Sequence, residues 1–506
     1  MRRLLANRFV LALLVLLALG GLYGIAGLSH PVAVAQSTAP RLSRATVSSA
    51  VRACPAPGSA GATSGGVAIA AAPAATAGPG QAAVSRLTPT GSATVGAALR
   101  TFAVPGKPTV AKVPAAPAVH KSQQSAQNAT DAVPTFAGRG GVMVAATASM
   151  SQGLEVEQTG SGGLATARCN GPGTDFWFVG PGQESAAHIQ LYLMNVDGQQ
   201  ADAQVTALTD SGPLLGNTDA GIVVPPHGMV IQSLGKLLHK SRFVALHVST
   251  TLGRVVAAVR ETKSTSEPGG WLPVTQAPAK RLVLPGLPGT AGTRELYVVV
   301  PGSGDAQVKL TAVTPKGSYQ PTGGSGIDLP GGSAAGVPLP SLSGIPAAVE
   351  ISSNVPVTAA IMVPGGAAGS PGAITAAAGP VQQQGVLAAN PGSAAGSAEL
   401  VLSAPRAAAS VLVTVATSAS AFAGQTGRVV AVAAGHTLSM RVRPPPGTPR
   451  TATFAVLITV QPGSGPVYAG RVISTGSGVQ SILPVDSSLI WIPLPVVHDS
   501  LTTVLH

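Results

Sequence analysis

The chain has 506 residues, of which 45% are hydrophobic, 9% charged and 3% aromatic, and Gly and Pro together make up about a fifth. So little charge with so much apolar content argues against charge-driven disorder. Abundant Ala, Gly, Val, Ser, Thr and Pro with scarce Glu and Lys argue against a helical cytosolic protein and leave an all-β, turn-rich chain.

The net charge of +12 is uneven. Residues 1–130 carry eleven Lys or Arg and no acid, the first carboxylate being Asp131. This split points to an acidic partner for the first part of the chain, an anionic cell-wall polymer or envelope component. The bland alternative is a solvated basic loop. Nucleic acid is not expected, because no Lys/Arg cluster is interleaved with aromatics.

In chain order, the first element is the uncharged run Phe9–Leu28 behind Arg2, Arg3 and Arg8. Twenty residues span about 30 Å as a helix, the thickness of a bilayer core. Residues 1–28 are therefore expected to be a cytoplasmic stub and a single transmembrane anchor, with residues 9–28 in the membrane and the body outside. The alternative is a signal cleaved near Ala35, after Ala33-Val34-Ala35, which would release a secreted protein. Residues 29–50, rich in Ser, Thr, Ala and Pro, read as a tether.

Cys54 and Cys169 are the two cysteines. Their contexts match, Arg52-Ala-Cys54-Pro and Ala167-Arg-Cys169-Asn, so they occupy the same place in a repeated unit. Outside the membrane such a pair predicts a disulfide. Two cysteines without a nearby His pair make no zinc site. No metal or cofactor is expected.

Similar sentences recur along the chain. Pro288-Gly289 and Pro391-Gly392 each precede a strand, a small turn and another strand. In the second unit His188–Asn195 and Ala203–Asp210 flank Asp197-Gly198, which predicts a hairpin. Alternating apolar residues such as Ile189, Leu191 and Leu193 fit half-buried antiparallel strands. The units are read as 51–165, with a flexible insertion at 105–135, then 166–280, 281–383 and 384–506 with a terminal strand. Seven strands per hundred residues predict about four tandem immunoglobulin-like β-sandwiches behind one N-terminal transmembrane helix. The alternative is a closed β-propeller-like ring of the same repeats, suggested because Ile490–Pro493 resembles the first strand of a unit.

No G-x-S-x-G, H-E-x-x-H, G-x-G-x-x-G or Walker spacing occurs, so no catalytic residue is assigned. Glu157 and Glu261 fall near the ends of equivalent strands, which repetition of the fold explains. A glycosidase would need them about 5–9 Å apart. His188 and His247 read as polar-face residues. Candidate ligand contacts are Phe176, Trp177 and Phe178, which could stack on a sugar if exposed, and Lys107, Lys112 and Lys121 on the insertion. In a strand the two Phe share one face and Trp177 takes the other. Asn128-Ala-Thr130 is a formal glycosylation sequon.

The Cys169–Gly180 block, the Arg-Ala-Cys54-Pro opening and the N-terminal anchor resemble an actinobacterial family of secreted or membrane-anchored envelope proteins with a domain of unknown function. The resemblance covers most of the chain after Ser43. It implies an envelope location and β-rich units, and it carries no catalytic residues. The function expected is a non-enzymatic, membrane-tethered extracytoplasmic scaffold or interaction protein. A glycan-binding module holding an anionic cell-wall polymer is the alternative.

Overall fold

The computed structural model describes residues 8–28, 44–55, 66–73, 80–87, 99–101, 109–112, 140–159, 165–182, 188–214, 221–235, 237–238, 240–262, 270–365, 372–417, 422 and 424–494. The expected tether before residue 44, the cleavage site near Ala35, the sequon at Asn128 and nearly all of the insertion at 105–135 lie outside these residues.

The chain divides into two units. In the first, the apolar run forms the helix Arg8–Leu28 of 21 residues. Among the described residues no helix is long and apolar enough to cross a membrane. Leu13, Leu16, Leu17, Leu22 and Ile25 are all exposed.

The second unit, Thr46–Ile492, is all β. Its strands follow the period-two rule. In Ala201–Thr209 the side chains of Ala203, Val205 and Ala207 point into a core while Gln204 and Thr206 face solvent. In Ala306–Thr314 Val308, Leu310 and Ala312 point inward while Gln307 and Lys309 are exposed. Each strand then turns in the same way. Gly212 and Gly317 take φ of 104° and 109°, a region closed to most side chains. The Thr209 and Thr314 hydroxyls donate to the carbonyls of those glycines at 3.0 and 2.8 Å.

The strands assemble into four two-sheet sandwiches of one topology. In one sheet the order is first, sixth, third, fourth; in the other it is fifth, second, seventh, eighth. The first sandwich pairs Ser49–Cys54, Gly141–Thr147, Gln81–Leu87 and Leu99–Thr101 against Thr109–Lys112, Gly66–Ala70, Glu155–Thr159 and Ala165–Arg168. In the second, Asp175–Pro181, Phe243–Leu252, Ala201–Thr209 and Gly212–Leu214 face Met229–Ser233, His188–Met194, Val256–Thr262 and Gly270–Leu272, and Ile222–Val224 adds an edge. The third joins its sixth and seventh strands into one 17-residue strand, Ala347–Val363, which serves both sheets. The fourth runs from Gln384–Asn390 to Gly478–Pro484. Each sandwich carries an eighth, edge strand beyond the expected seven, and the second and third add one more, Ile222–Val224 and Ile327–Leu329. Each closes over its own core, for example Ile189, Leu191, Val205, Leu246 and Val259 in the second.

Two expectations are corrected here. His188–Met194 and Ala201–Thr209 are not a hairpin but lie in opposite sheets. The Asp197-Gly198 turn carries the chain across the sandwich, because Asn195 donates to the carbonyls of Gln199 and Val224 and Arg254 grips Asp197 at 2.7 and 2.9 Å. The propeller is not formed either. A blade is a single sheet, whereas here two sheets bury their apolar faces on each other within every repeat.

The sandwiches nevertheless touch in a cycle. Ala53 and Leu87 of the first pack on Tyr192 and Met194 of the second. Trp177 and Phe243 of the second meet Tyr297 and Val299 of the third. Leu284 of the third shares a cluster with Val401 and Val472 of the fourth. Val386 and Leu457 of the fourth meet Ala68 and Ala70 of the first. The segment after the fourth sandwich continues this last seam, with Gly153 and Val47 donating to the carbonyls of Leu489 and Ile490, each at 2.9 Å.

Candidate functional site

The chemistry of this protein is concentrated where the sandwiches meet. Within the first sandwich, at the end that meets the second, Cys54 and Cys169 are bonded, with Cα atoms 4.5 Å apart and both side chains fully buried in the first core. Cys54 ends the first strand of one sandwich and Cys169 precedes the first strand of the next. Beside them the Ala53 amide donates to the Asn170 carbonyl at 2.9 Å, and the Asn170 side chain donates to the Ala257 carbonyl at 3.2 Å.

Between the first and fourth sandwiches lie two ion-pair clusters. Arg471 Nη1 is 2.5 Å from Glu157 Oε2, and the other Glu157 oxygen accepts the Ala388 amide at 2.9 Å. The same Arg471 nitrogen donates to the Ala389 carbonyl at 2.7 Å. Arg168 joins Glu155 at 2.5 Å and Asp486 at 2.6 Å, and donates to the Pro484 carbonyl at 2.9 Å. Burial disfavours the Arg168 cation, but Glu155 and Asp486 outweigh it and raise its pKa, while burial pushes the Glu155 carboxyl up to about 7 against the pull of Arg168.

Between the second and third sandwiches the site is aromatic and acidic. Trp177 stacks on His247 with ring centroids 4.2 Å apart, and Phe243 meets Tyr297 at 5.5 Å. Glu261 is buried and its Oε1 has no hydrogen-bond partner among the described residues. Burial raises its pKa well above the usual carboxylate range. Burial, then the nearby Glu295 and Glu261 carboxyls, push the Tyr297 phenol upward as well. A cleft of about 650 Å³ opens beside this seam, with Asp210 and Arg242 on one side and Glu295 and Met362 on the other.

The third and fourth sandwiches meet backbone to backbone. A Cβ on Gly470 would lie 2.4 Å from the Gly286 Cα, so neither position accepts a side chain. Thr437 donates to the Val313 carbonyl at 2.7 Å, and Arg406 pairs with Glu350. On the outer face of the third sandwich, a second cleft of about 550 Å³ is lined by Lys280, Arg281 and Lys309 with Ser352 and Gln307.

Against this arrangement the expected site residues fall as follows. Phe176 and Phe178 lie in the core of the second sandwich, and Trp177 points the other way into the seam with the third. All three are buried, at 7%, 0% and 7% exposure, so none is presented for stacking on a sugar. Strand alternation explains the split, and packing of the next sandwich covers the face that would otherwise be wet. Lys107 and Lys121 lie outside the described residues. Lys112 ends the strand Thr109–Lys112. Glu157 and Glu261 sit in different sandwiches at different seams. His188 is exposed, and His247 is half-buried under Trp177 and 3.4 Å from Asp175. Sequence reasoning missed Arg471, although one cation inside the apolar run Val467–Ile473 of a charge-poor chain was a signal. It also missed Lys280, Arg281 and Lys309, which alternate with core residues and carry no motif.

No curated relative matches the chain. Residues 124–443 match a family of unknown function, DUF5719. The matched stretch contains the second and third sandwiches whole, with Cys169 and Glu157 but neither of their partners, Cys54 and Arg471. It covers well over half of the sequence, and the chain belongs to this family of unknown function.

Proposed function

We propose that the protein is a non-enzymatic scaffold or interaction protein of the cell envelope, tethered by residues 9–28 with its β body outside the membrane. The observation that carries this reading is how its buried charges are used. The buried charged residues described are Glu155, Glu157, Glu261, Arg294 and Arg471. Glu155, Glu157 and Arg471 join the first sandwich to the fourth. Arg294 donates to the carbonyls of Gly292, Pro288 and Thr290 and so ties its own loop. None of the five lines either cleft. An active site gathers such groups around a pocket; here four of the five hold sandwiches or a loop in place, and Glu261 is buried at the seam of the second and third sandwiches. The uncharged run Phe9–Leu28 behind Arg2, Arg3 and Arg8 supports the tether and the outward orientation. Repeats of the immunoglobulin-like kind, joined by short linkers, suit an extracytoplasmic body.

The test is protease treatment of cells stripped of their wall, followed by membrane fractionation. The body is expected to be digested from outside and the undigested chain to sediment with membranes. Full protection of the body, or recovery in the soluble fraction with residues 1–28 intact, would contradict the reading.

The alternative is a glycan-binding module for an anionic wall polymer. It draws on the eight basic residues from Arg41 to Lys121 and on the basic cleft of the third sandwich.

A further inference from the structure

The third sandwich carries a row of cations on its outer face. Arg281 stands opposite Ser352 on the neighbouring strand, and Ser352 stands opposite Lys309 on the next. Residues paired across antiparallel strands share a face. The residues that follow Arg281 and Lys309, Leu282 and Leu310, and Ile351 beside Ser352, point into the core, which fixes the cations outward. Lys280 has the opposite parity and should point inward. The register shifts between Ala279 and Arg281, however, and such a bulge re-aims a side chain. Lys280 is exposed and lines the same cleft as Arg281 and Lys309.

No carboxylate lines this cleft. Glu350, two positions along the same strand as Ser352, is neutralised by Arg406 of the fourth sandwich. Asp328 pairs across the strands with Gln307 and is not among the lining residues. In a chain with 9% charged residues, a cleft lined by three cations and no acid is a concentration of positive potential.

We propose that this cleft, with Lys280, Arg281 and Lys309, binds a linear anionic polysaccharide. Arg281 and Lys309 are separated by two strand spacings, about 9.5 Å between Cα atoms. That separation lets the two cations face neighbouring anionic groups on a chain. Ser352, Ser353 and Gln307 supply hydroxyl and amide groups between the cations, which suit sugar hydroxyls. Single-stranded nucleic acid needs aromatic platforms for its bases, and the cleft has none. The shared ligand chemistry is a repeated anion, carboxylate or phosphodiester, on a hydroxylated chain. This deepens the glycan-binding reading and moves its site from the first unit to the third.

The experiment uses the full chain in detergent, with polygalacturonate and a phosphodiester-bearing mannan as the two anionic probes, and neutral dextran and a thymidine oligonucleotide as controls. The wild type is expected to bind at least one anionic probe, more weakly as salt rises, and to ignore dextran. The probe that binds identifies the anion. Exposed contacts of this kind contribute modestly, so Lys280→Gln, Arg281→Gln and Lys309→Gln are each expected to weaken binding about 2- to 5-fold, and the triple variant by at least about tenfold. The triple variant Lys107→Gln, Lys112→Gln, Lys121→Gln is expected to bind like wild type. Unchanged binding by the Lys280, Arg281, Lys309 variant would overturn the cleft while leaving the glycan-binding reading intact. Failure of the wild type to bind either anionic probe would overturn both. Tighter binding of the oligonucleotide than of either polymer would overturn the polysaccharide and make nucleic acid the ligand.

Discussion

Arg471 of the fourth sandwich and Glu157 of the first are 314 residues apart in sequence, yet their side chains meet at 2.5 Å with 3% and 0% exposure. The contact brings the fourth sandwich back onto the first. The Cys54–Cys169 bridge fastens the first strand of the first sandwich to the segment that leads into the second.

Breaking the pair on one side leaves an uncompensated buried charge, which costs about 3–5 kcal/mol. Arg471→Met and Glu157→Gln are each expected to lower the denaturant midpoint clearly. The double variant Glu157→Leu with Arg471→Met removes both charges and should recover much of that loss. A double variant as unstable as the sum of the singles would show that the two side chains do not interact.

Glu261 gives a pH-dependent prediction. Its folded pKa is raised by burial, so the folded state binds its proton more tightly than the unfolded chain does. The favourable contribution of this group is full below the unfolded carboxylate pKa, near 4.3, and is lost as pH rises toward the folded value. Glu261→Gln is therefore expected to unfold at a higher temperature than wild type at pH 7, with the gap narrowing toward pH 4. A gap that widens on acidification would reverse the sign of the argument.

The disulfide closes a loop spanning 115 residues. Chain entropy for such a loop corresponds to about 2–5 kcal/mol, and strain and residual structure reduce it. Non-reducing peptide mapping should recover one Cys54–Cys169 peptide pair. Dithiothreitol should lower the unfolding midpoint of the wild type and leave the Cys54→Ser, Cys169→Ser variant unaffected.

Gly470→Ala puts a methyl against the Gly286 backbone, and the seam between the third and fourth sandwiches has to open to admit it. A loss of about 1–3 kcal/mol is expected by analogy with overpacking. Gly476→Ala, where nothing lies within 4 Å, is the control and should stay within about 0.5 kcal/mol of wild type. Equal effects at both sites would mean the close approach is absent.

The all-β class was legible because strand alternation is local: Ile189, Leu191 and Leu193 announce a buried face before any partner is known. The disulfide was legible from an even pair of cysteines, but their expected shared place in a repeat is wrong: Cys54 ends a first strand, whereas Cys169 follows an eighth. The seams were not. Whether Trp177 is wet or covered depends on Tyr297 and Phe243, and Tyr297 lies 120 positions away in the next sandwich. The Asp197-Gly198 turn misled because local turn chemistry does not say which sheet the following strand joins. Lys280, Arg281 and Lys309 look like ordinary polar-face residues in sequence, and only strand register and a bulge gather them.

The central claim is that the four sandwiches close on one another, the first packing on the fourth through Glu157 and Arg471. Small-angle X-ray scattering of residues 46–492 tests it most directly. A closed body of this length should give a radius of gyration of about 22–26 Å. Four sandwiches joined only in series, each with a radius of gyration of about 13 Å, would give about 40 Å and would contradict the account.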